Sequence, residues 1–167
     1  MEGGAGHMEE TRAGSPVAAV VPSLNPTRQL TSTVEGLLAA GFARVILVND
    51  GSRPETEEYF QELDRLPQVT LLTHPVNRGK GAAMKTAFTW LLEHWPDCPG
   101  VVTVDGDGQH HPEDALACAQ KMLAEERVIL GCRDFSRPEV PPRSRTGNRI
   151  TRGVFRVFCG MSLSDTQ

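Results

Sequence analysis

The chain has 167 residues, 39% hydrophobic and 23% charged, with a formal net charge of −4. That length and balance suit one domain with a full-sized core, and the net negative charge argues against a general nucleic-acid binder. No apolar run approaches the ~18–20 residues of a membrane span, and residues 1–15 lack the apolar centre of a secretory signal, so they read as a flexible tail ahead of a domain over residues 16–167.

Residues 17–21 (VAAVV) form the first expected strand, ended by Pro22. Asn25-Pro26 then reads as an N-cap with Pro at N1, followed by Leu30, Val34, Leu37 and Leu38 at helical spacing and closed by Gly41. Residues 45–48 make a second strand running into Asn49-Asp50-Gly51-Ser52, and a helix through Tyr59, Phe60 and Leu63 follows. A third strand covers residues 69–72, and the loop 74–80 opens a long helix carrying Met84, Ala87, Phe88, Leu91 and Leu92. Residues 101–104 (VVTV) read as a buried fourth strand, residues 112–125 as a helix, and residues 128–130 as a fifth strand. Strands alternating with helices indicate an α/β protein with a mostly parallel central sheet flanked by helices.

In such sheets ligands bind beyond the carboxyl ends of the strands. The polar residues fall at those ends: Pro22–Asn25, Asn49–Ser52, His74–Lys80, Asp105–Gln109 and Cys132-Arg133. The most telling is DGDGQHHP, residues 105–112. Two acids at i and i+2, between glycines, do nothing for strand stability, but they suit a hard divalent cation that leaves positions open to substrate oxygens. As a structural alternative, the same turn merely caps the helix that follows. The two common phosphate loops fail: at Gly79-Lys80 a Walker loop would place its first glycine at His74 and its final hydroxyl at Gly81, and Gly79-Lys80-Gly81 follows the wrong strand for a dinucleotide fingerprint. His110 and His111 read as turn residues before Pro112. The cysteines (Cys98, Cys118, Cys132, Cys159) form no CxxC pair, so free thiols in a reducing compartment are expected.

Residues 133–156 hold seven arginines (133, 137, 143, 145, 149, 152, 156) against Asp134 and Glu139. Arg145, Arg149, Arg152 and Arg156 share one face of an expected helix, beside an apolar stripe of Ile150, Val154, Val157, Phe158 and Met161. Such a helix suits a surface packed by its stripe, or an anionic lipid interface offering guanidinium forks to phosphate.

Residues 17–25, VILVNDGS (45–52), NRGKGA (77–82) and DGDGQHHP (105–112) together resemble family 2 glycosyltransferases of the GT-A fold, a Rossmann-like nucleotide-sugar-binding domain. Gly131-Cys132-Arg133 and residues 142–165 are similar to the polyprenyl-phosphate branch, which includes dolichyl-phosphate mannose and glucose synthases. The resemblance implies metal-dependent, inverting transfer of a sugar from a UDP-glucose or GDP-mannose type donor to a polyprenyl or dolichyl phosphate. It implies Mg²⁺ or Mn²⁺ on Asp105, Asp107 and Gln109, and a donor nucleotide on Pro22, Ser23, Asn25, Asp50, Arg78, Lys80 and Asp105, with Asp50 reading the base. Arg133, Arg143, Arg145 and Arg149 would hold the acceptor phosphate, and Asp105, Asp107 and Arg133 would be the catalytic residues. A polyprenyl phosphate is already ionised, so no general base is required.

This sequence departs from the family at Pro26, where Glu is usual, and at Asn49, where a first acid is common. It ends at Asp165-Thr166-Gln167, where the family continues, which implies a domain incomplete at its C-terminus. The alternatives are a family 2 enzyme acting on a polysaccharide or other hydroxyl acceptor, a nucleotidyltransferase, disfavoured by Pro22-Ser23-Leu24-Asn25 after the first strand, and a non-catalytic nucleotide-sugar-binding fragment. The expected location is cytoplasmic, peripheral at the cytoplasmic face of a membrane.

Overall fold

A computed structural model describes residues 15–129 and Gly131. Four strands form one sheet: β1 (Ser15–Ser23), β2 (Phe42–Asp50), β3 (Val69–His74) and β4 (Val101–Thr103). Its order is β3-β2-β1-β4, and every pairing is parallel. The helices are α1 (Gln29–Ala40), α2 (Glu57–Asp64), α3 (Lys80–His94) and α4 (Pro112–Glu125), with a 3₁₀ turn at Pro54–Thr56.

Both faces of the sheet are covered. On one, Val17, Ala19, Val21, Val45 and Leu47 pack against Leu30, Val34 and Leu37 of α1, Phe60 and Leu63 of α2, and Ala115 and Ala119 of α4. On the other, Ala18, Val20, Ile46 and Val48 meet Ala83, Ala87 and Leu91 of α3. This is why the strands read as unbroken apolar runs, with every position in β1 from Val17 to Val21 buried. Successive connections run from β1 to β2 to β3, and the chain then crosses back to place β4 on the other side of β1. The carboxyl ends of β1 and β4 therefore flank the switch point.

The expected elements form, with several differences. First, Ser15 lies in β1 and is buried, so the strand takes in one residue of the expected tail. Second, Asn25 does not cap α1. It has a left-handed backbone (φ 50) and bonds to the loop after β2, while the Thr27 carbonyl accepts the Leu30 N–H at the helix start. Third, residues 128 and 129 form no strand, and Val128 is 88% exposed. A short apolar triplet without alternation is a weak strand signal. Leu92, one of the apolar residues expected along α3, is exposed, because the buried line runs through Ala83, Ala87 and Leu91. Thr103 of β4 is also exposed. Gly41 ends α1 as expected, with φ 104 and its N–H bonded to the Leu37 and Leu38 carbonyls. Cys98 and Cys118 are free thiols.

Candidate functional site

Four polar loops meet the carboxyl rim of the sheet. The loops after β1 and β2 are stitched together: the Asn25 N–H donates to Ser52 Oγ at 2.9 Å, and the Arg53 N–H donates to Asn25 Oδ1 at 2.8 Å. Asn49 is buried and closes its own turn, its Oδ1 accepting the Ser52 N–H at 2.9 Å. An amide suits this position because a carboxylate would be buried with one such partner. Pro22 and Ser23 end β1 in register with Val48 and Asn49.

Asp50 and His74, register partners at the ends of β2 and β3, are both buried. His74 Nδ1 lies 2.6 Å from Asp50 Oδ1, and its Nε2 lies 2.9 Å from the Thr86 hydroxyl on α3. An ionised Asp50 only accepts, so Nδ1 carries the proton of that bond. The same carboxylate takes two backbone N–H groups from the next loop, Arg78 at 3.0 Å and Gly79 at 2.7 Å. Burial pushes the Asp50 pKa up, but the hydrogen bonds from His74, Arg78 and Gly79 and the attraction of His74 outweigh it, leaving the group below its ordinary value. Gly79 (φ 88, ψ 154) has a backbone that side chains other than glycine's disfavour, and it is the residue just before α3. Gly51 (φ 72) lies so close to the loop after β3 that a Cβ there would sit 2.3 Å from the Val76 carbonyl carbon and 2.4 Å from the Asn77 nitrogen.

These contacts set where α3 starts, and its first residue is Lys80. Lys80 Nζ donates to Asp105 Oδ1 at 2.6 Å across the rim, with the side chains 60% and 42% exposed. His110 Nε2 lies 3.8 Å from the other Asp105 oxygen. Asp107, two residues on, accepts the Gln109 N–H at 3.0 Å, which tightens the turn. Gly106 lets this turn lie against the core: a Cβ there would approach Leu30 at 2.8 Å and Val21 at 3.5 Å. His111 precedes Pro112 at the start of α4, and its carbonyl accepts from Asp114 and Ala115. The rim thus holds two outward carboxylates, a lysine and the N-terminal end of α3, a combination suited to an ionic ligand.

The sequence matches Glycosyl transferase family 2 over residues 18–161. The chain belongs to this family. It is 28% identical over 155 residues to an uncharacterized protein of Methanocaldococcus jannaschii, covering 90% of this chain and 61% of that one. It is 24% identical over 165 residues to a UDP-N-acetylglucosamine–dolichyl-phosphate N-acetylglucosaminyltransferase of Methanococcus voltae, covering 89% of this chain and 65% of the relative. With the glycosyltransferase AglJ of Haloferax volcanii it shares 26% identity over 151 residues, covering 89% and 47%. The chain therefore spans between about half and two thirds of the length of these relatives.

The family and the α/β parallel-sheet fold expected from the sequence are both borne out. Of the family 2 residues expected at the site, Pro22, Ser23, Asn25, Asp50, Arg78, Lys80, Asp105, Asp107 and Gln109 all lie on the carboxyl rim or its loops. They divide into two groups. Lys80, Asp105, Asp107 and Gln109 face outward, whereas Asp50 is turned inward with both oxygens accepting protein hydrogens. The resemblance gives Asp50 the donor base, and its carboxylate already accepts from His74, Arg78 and Gly79, so a base would share it with those donors. Arg133, Arg143, Arg145 and Arg149 lie outside the described residues, as does the expected arginine helix. His74 and Thr86 were not singled out from the sequence. The signal was available, since His74 and Asp50 end adjacent parallel strands, but only once each strand is extended by two residues.

Proposed function

We propose that this protein transfers a sugar from a nucleoside-diphosphate sugar to a polyprenyl phosphate of the dolichyl type, with inversion, at a membrane surface. The observation that carries the reading is the Asp105–Asp107 turn at the β1/β4 switch point with Lys80 drawn onto it, in a family 2 chain. The dolichyl-phosphate transferase of Methanococcus voltae supports the acceptor class. Among the described residues no helix is long and apolar enough to cross a membrane, and the proposed membrane contact is the arginine-rich segment.

The donor set fits a divalent cation. Asp105 and Asp107 offer hard carboxylate oxygens, and Lys80 shows that one of them attracts a positive charge. Among the described residues no group of three His, Cys, Asp or Glu side chains is placed to hold a metal. Two protein acids, with Gln109 beside them, match an ion that draws its other ligands from substrate and water. When bound, Mg²⁺ or Mn²⁺ would supply Lewis-acid neutralisation of the departing diphosphate. Asp50 and His74 act one step removed: Asp50, braced by His74, holds the Arg78 and Gly79 N–H groups and fixes the start of α3, so Lys80 and the helix end face the diphosphate. Pro22, Ser23 and Asn25 form the floor under the nucleotide. A lipid phosphate oxygen attacks the anomeric carbon as the bond to the diphosphate breaks, and Arg133, Arg143, Arg145 and Arg149 aim it.

Calorimetric titration of UDP-glucose, UDP-N-acetylglucosamine and GDP-mannose, with Mn²⁺ and then with EDTA, tests this. Binding of one donor that needs Mn²⁺ and is lost in Asp105→Ala/Asp107→Ala, followed by transfer to dolichyl phosphate, is the expected result. A folded protein that binds none of the three donors would sink the reading.

A further inference from the structure

We propose that Lys80 is an exchangeable counter-cation: it neutralises Asp105 while the site is free of ligand, yields that carboxylate to the divalent ion, and moves onto the diphosphate of the incoming nucleotide. The inference rests on the reading above and concerns the order of charges within that site. Lys80 Nζ lies 2.6 Å from Asp105 Oδ1, closer than a divalent ion on that oxygen would tolerate another cation. The pair is open to solvent on both sides, so its exchange requires no rearrangement of the core.

The backbone of Lys80 is fixed even though its side chain is not. Asp50 holds the Gly79 N–H at 2.7 Å, and the Gly79 carbonyl accepts the Ala82 and Ala83 N–H groups as the first turn of α3. The ammonium therefore swings on its four-carbon stem from a fixed point on the rim. Displaced from Asp105, it finds two other carboxylates on the rim among the described residues: Asp50, which is buried and already accepts three hydrogen bonds, and Asp107, which belongs to the same proposed ion site. A diphosphate bound beside the ion is the anion that remains within reach, next to the positive end of α3. Ion and nucleotide then help each other bind, because the nucleotide removes the cation that competes with the ion.

The test uses the full chain, its Lys80→Met variant, which keeps the stem and removes the charge, and Lys80→Arg as a charge-retaining control. Mn²⁺ alone is titrated first at low ionic strength, then UDP and GDP in saturating Mn²⁺. Lys80→Met should bind Mn²⁺ about fivefold more tightly than wild type, the upper range for releasing an exposed ion pair. It should bind the preferred nucleoside diphosphate about tenfold more weakly, and Lys80→Arg should stay near wild type in the first titration. Opposite signs for the two ligands mark exchange, since general damage to the rim weakens both. Unchanged or weaker Mn²⁺ binding by Lys80→Met overturns the exchange while leaving the ion site standing. Failure of wild type and variant alike to bind Mn²⁺ alone overturns the exchange, and the proposed function falls with it only where no donor binds in the presence of Mn²⁺ either.

Discussion

Asp50 is the residue on which the rim turns, because its two oxygens join the end of β2 to the end of β3 and the loop that follows it, through His74, Arg78 and Gly79. Asp50→Asn puts an NH₂ group among N–H donors and should cost about 3 kcal/mol, read from urea unfolding at neutral pH. Its pKa is lower folded than unfolded, so the folded state holds fewer protons in the window between the two values. The resulting stability is complete above the ordinary carboxylate value of about 3.9 and disappears as pH falls from there toward the folded value. Wild type should lose stability more steeply than Asp50→Asn over that acid range, and parallel curves would contradict this. The glycines separate two kinds of cost. Gly51→Ala adds a Cβ 2.3 Å from the Val76 carbonyl carbon at a positive φ and should destabilise by more than about 3 kcal/mol. At Gly79 a Cβ meets nothing within 4 Å, so Gly79→Ala should cost only backbone strain, about 1–3 kcal/mol. The sequence reading placed Asp50 at the strand end without its partner His74. An Asn-Asp-Gly run at a strand end looks the same whether its acid turns outward to a ligand or inward to a histidine, and the pairing of β2 with β3 makes the difference.

At the scale of elements, hydrophobic period carried most of the information. The helix expected over residues 112–125 is α4, residue for residue, because Pro112 starts it and an apolar period sustains it. The strands were legible at their centres and short at their ends, since Asn49, Asp50, Thr73 and His74 are polar residues still paired in the ladder. Small residues make the buried face of α3. Of the apolar residues expected along it, Ala87 and Leu91 are buried and Leu92 is exposed, and Ala83 joins the buried line against β1 and β2. That alanine line lets the helix lie close to the sheet and holds its first residue on the rim. Ala87→Leu should force the helix outward, costing about 1–3 kcal/mol in urea unfolding and weakening Mn²⁺-dependent nucleotide binding. A variant destabilised to that degree with unaltered nucleotide affinity would show that α3 does not position the site.

For the molecule as a whole, donor and ion should stabilise the fold by mass action. At a hundred times Kd a nucleoside diphosphate with Mn²⁺ adds about 2.7 kcal/mol, or roughly 5–10 °C in Tm for a chain of this size, and EDTA should abolish the shift. The strand order carries a further consequence, for how the chain folds. Neighbouring residues in β1, β2 and β3 pair about 25 positions apart, whereas Ala18 of β1 meets Val101 of β4 about 80 positions later, a closure costing roughly 1 kcal/mol more in chain entropy. β4 also contributes only three paired residues in return. In pulse-labelling hydrogen exchange, amides of β2 and β3 should gain protection before Val104, whose N–H bonds to the Val20 carbonyl. The carboxylates that follow β4 then reach Lys80 only with this closure, so a partly folded chain holds the loops after β1, β2 and β3 before Asp105 and Asp107 are set beside them.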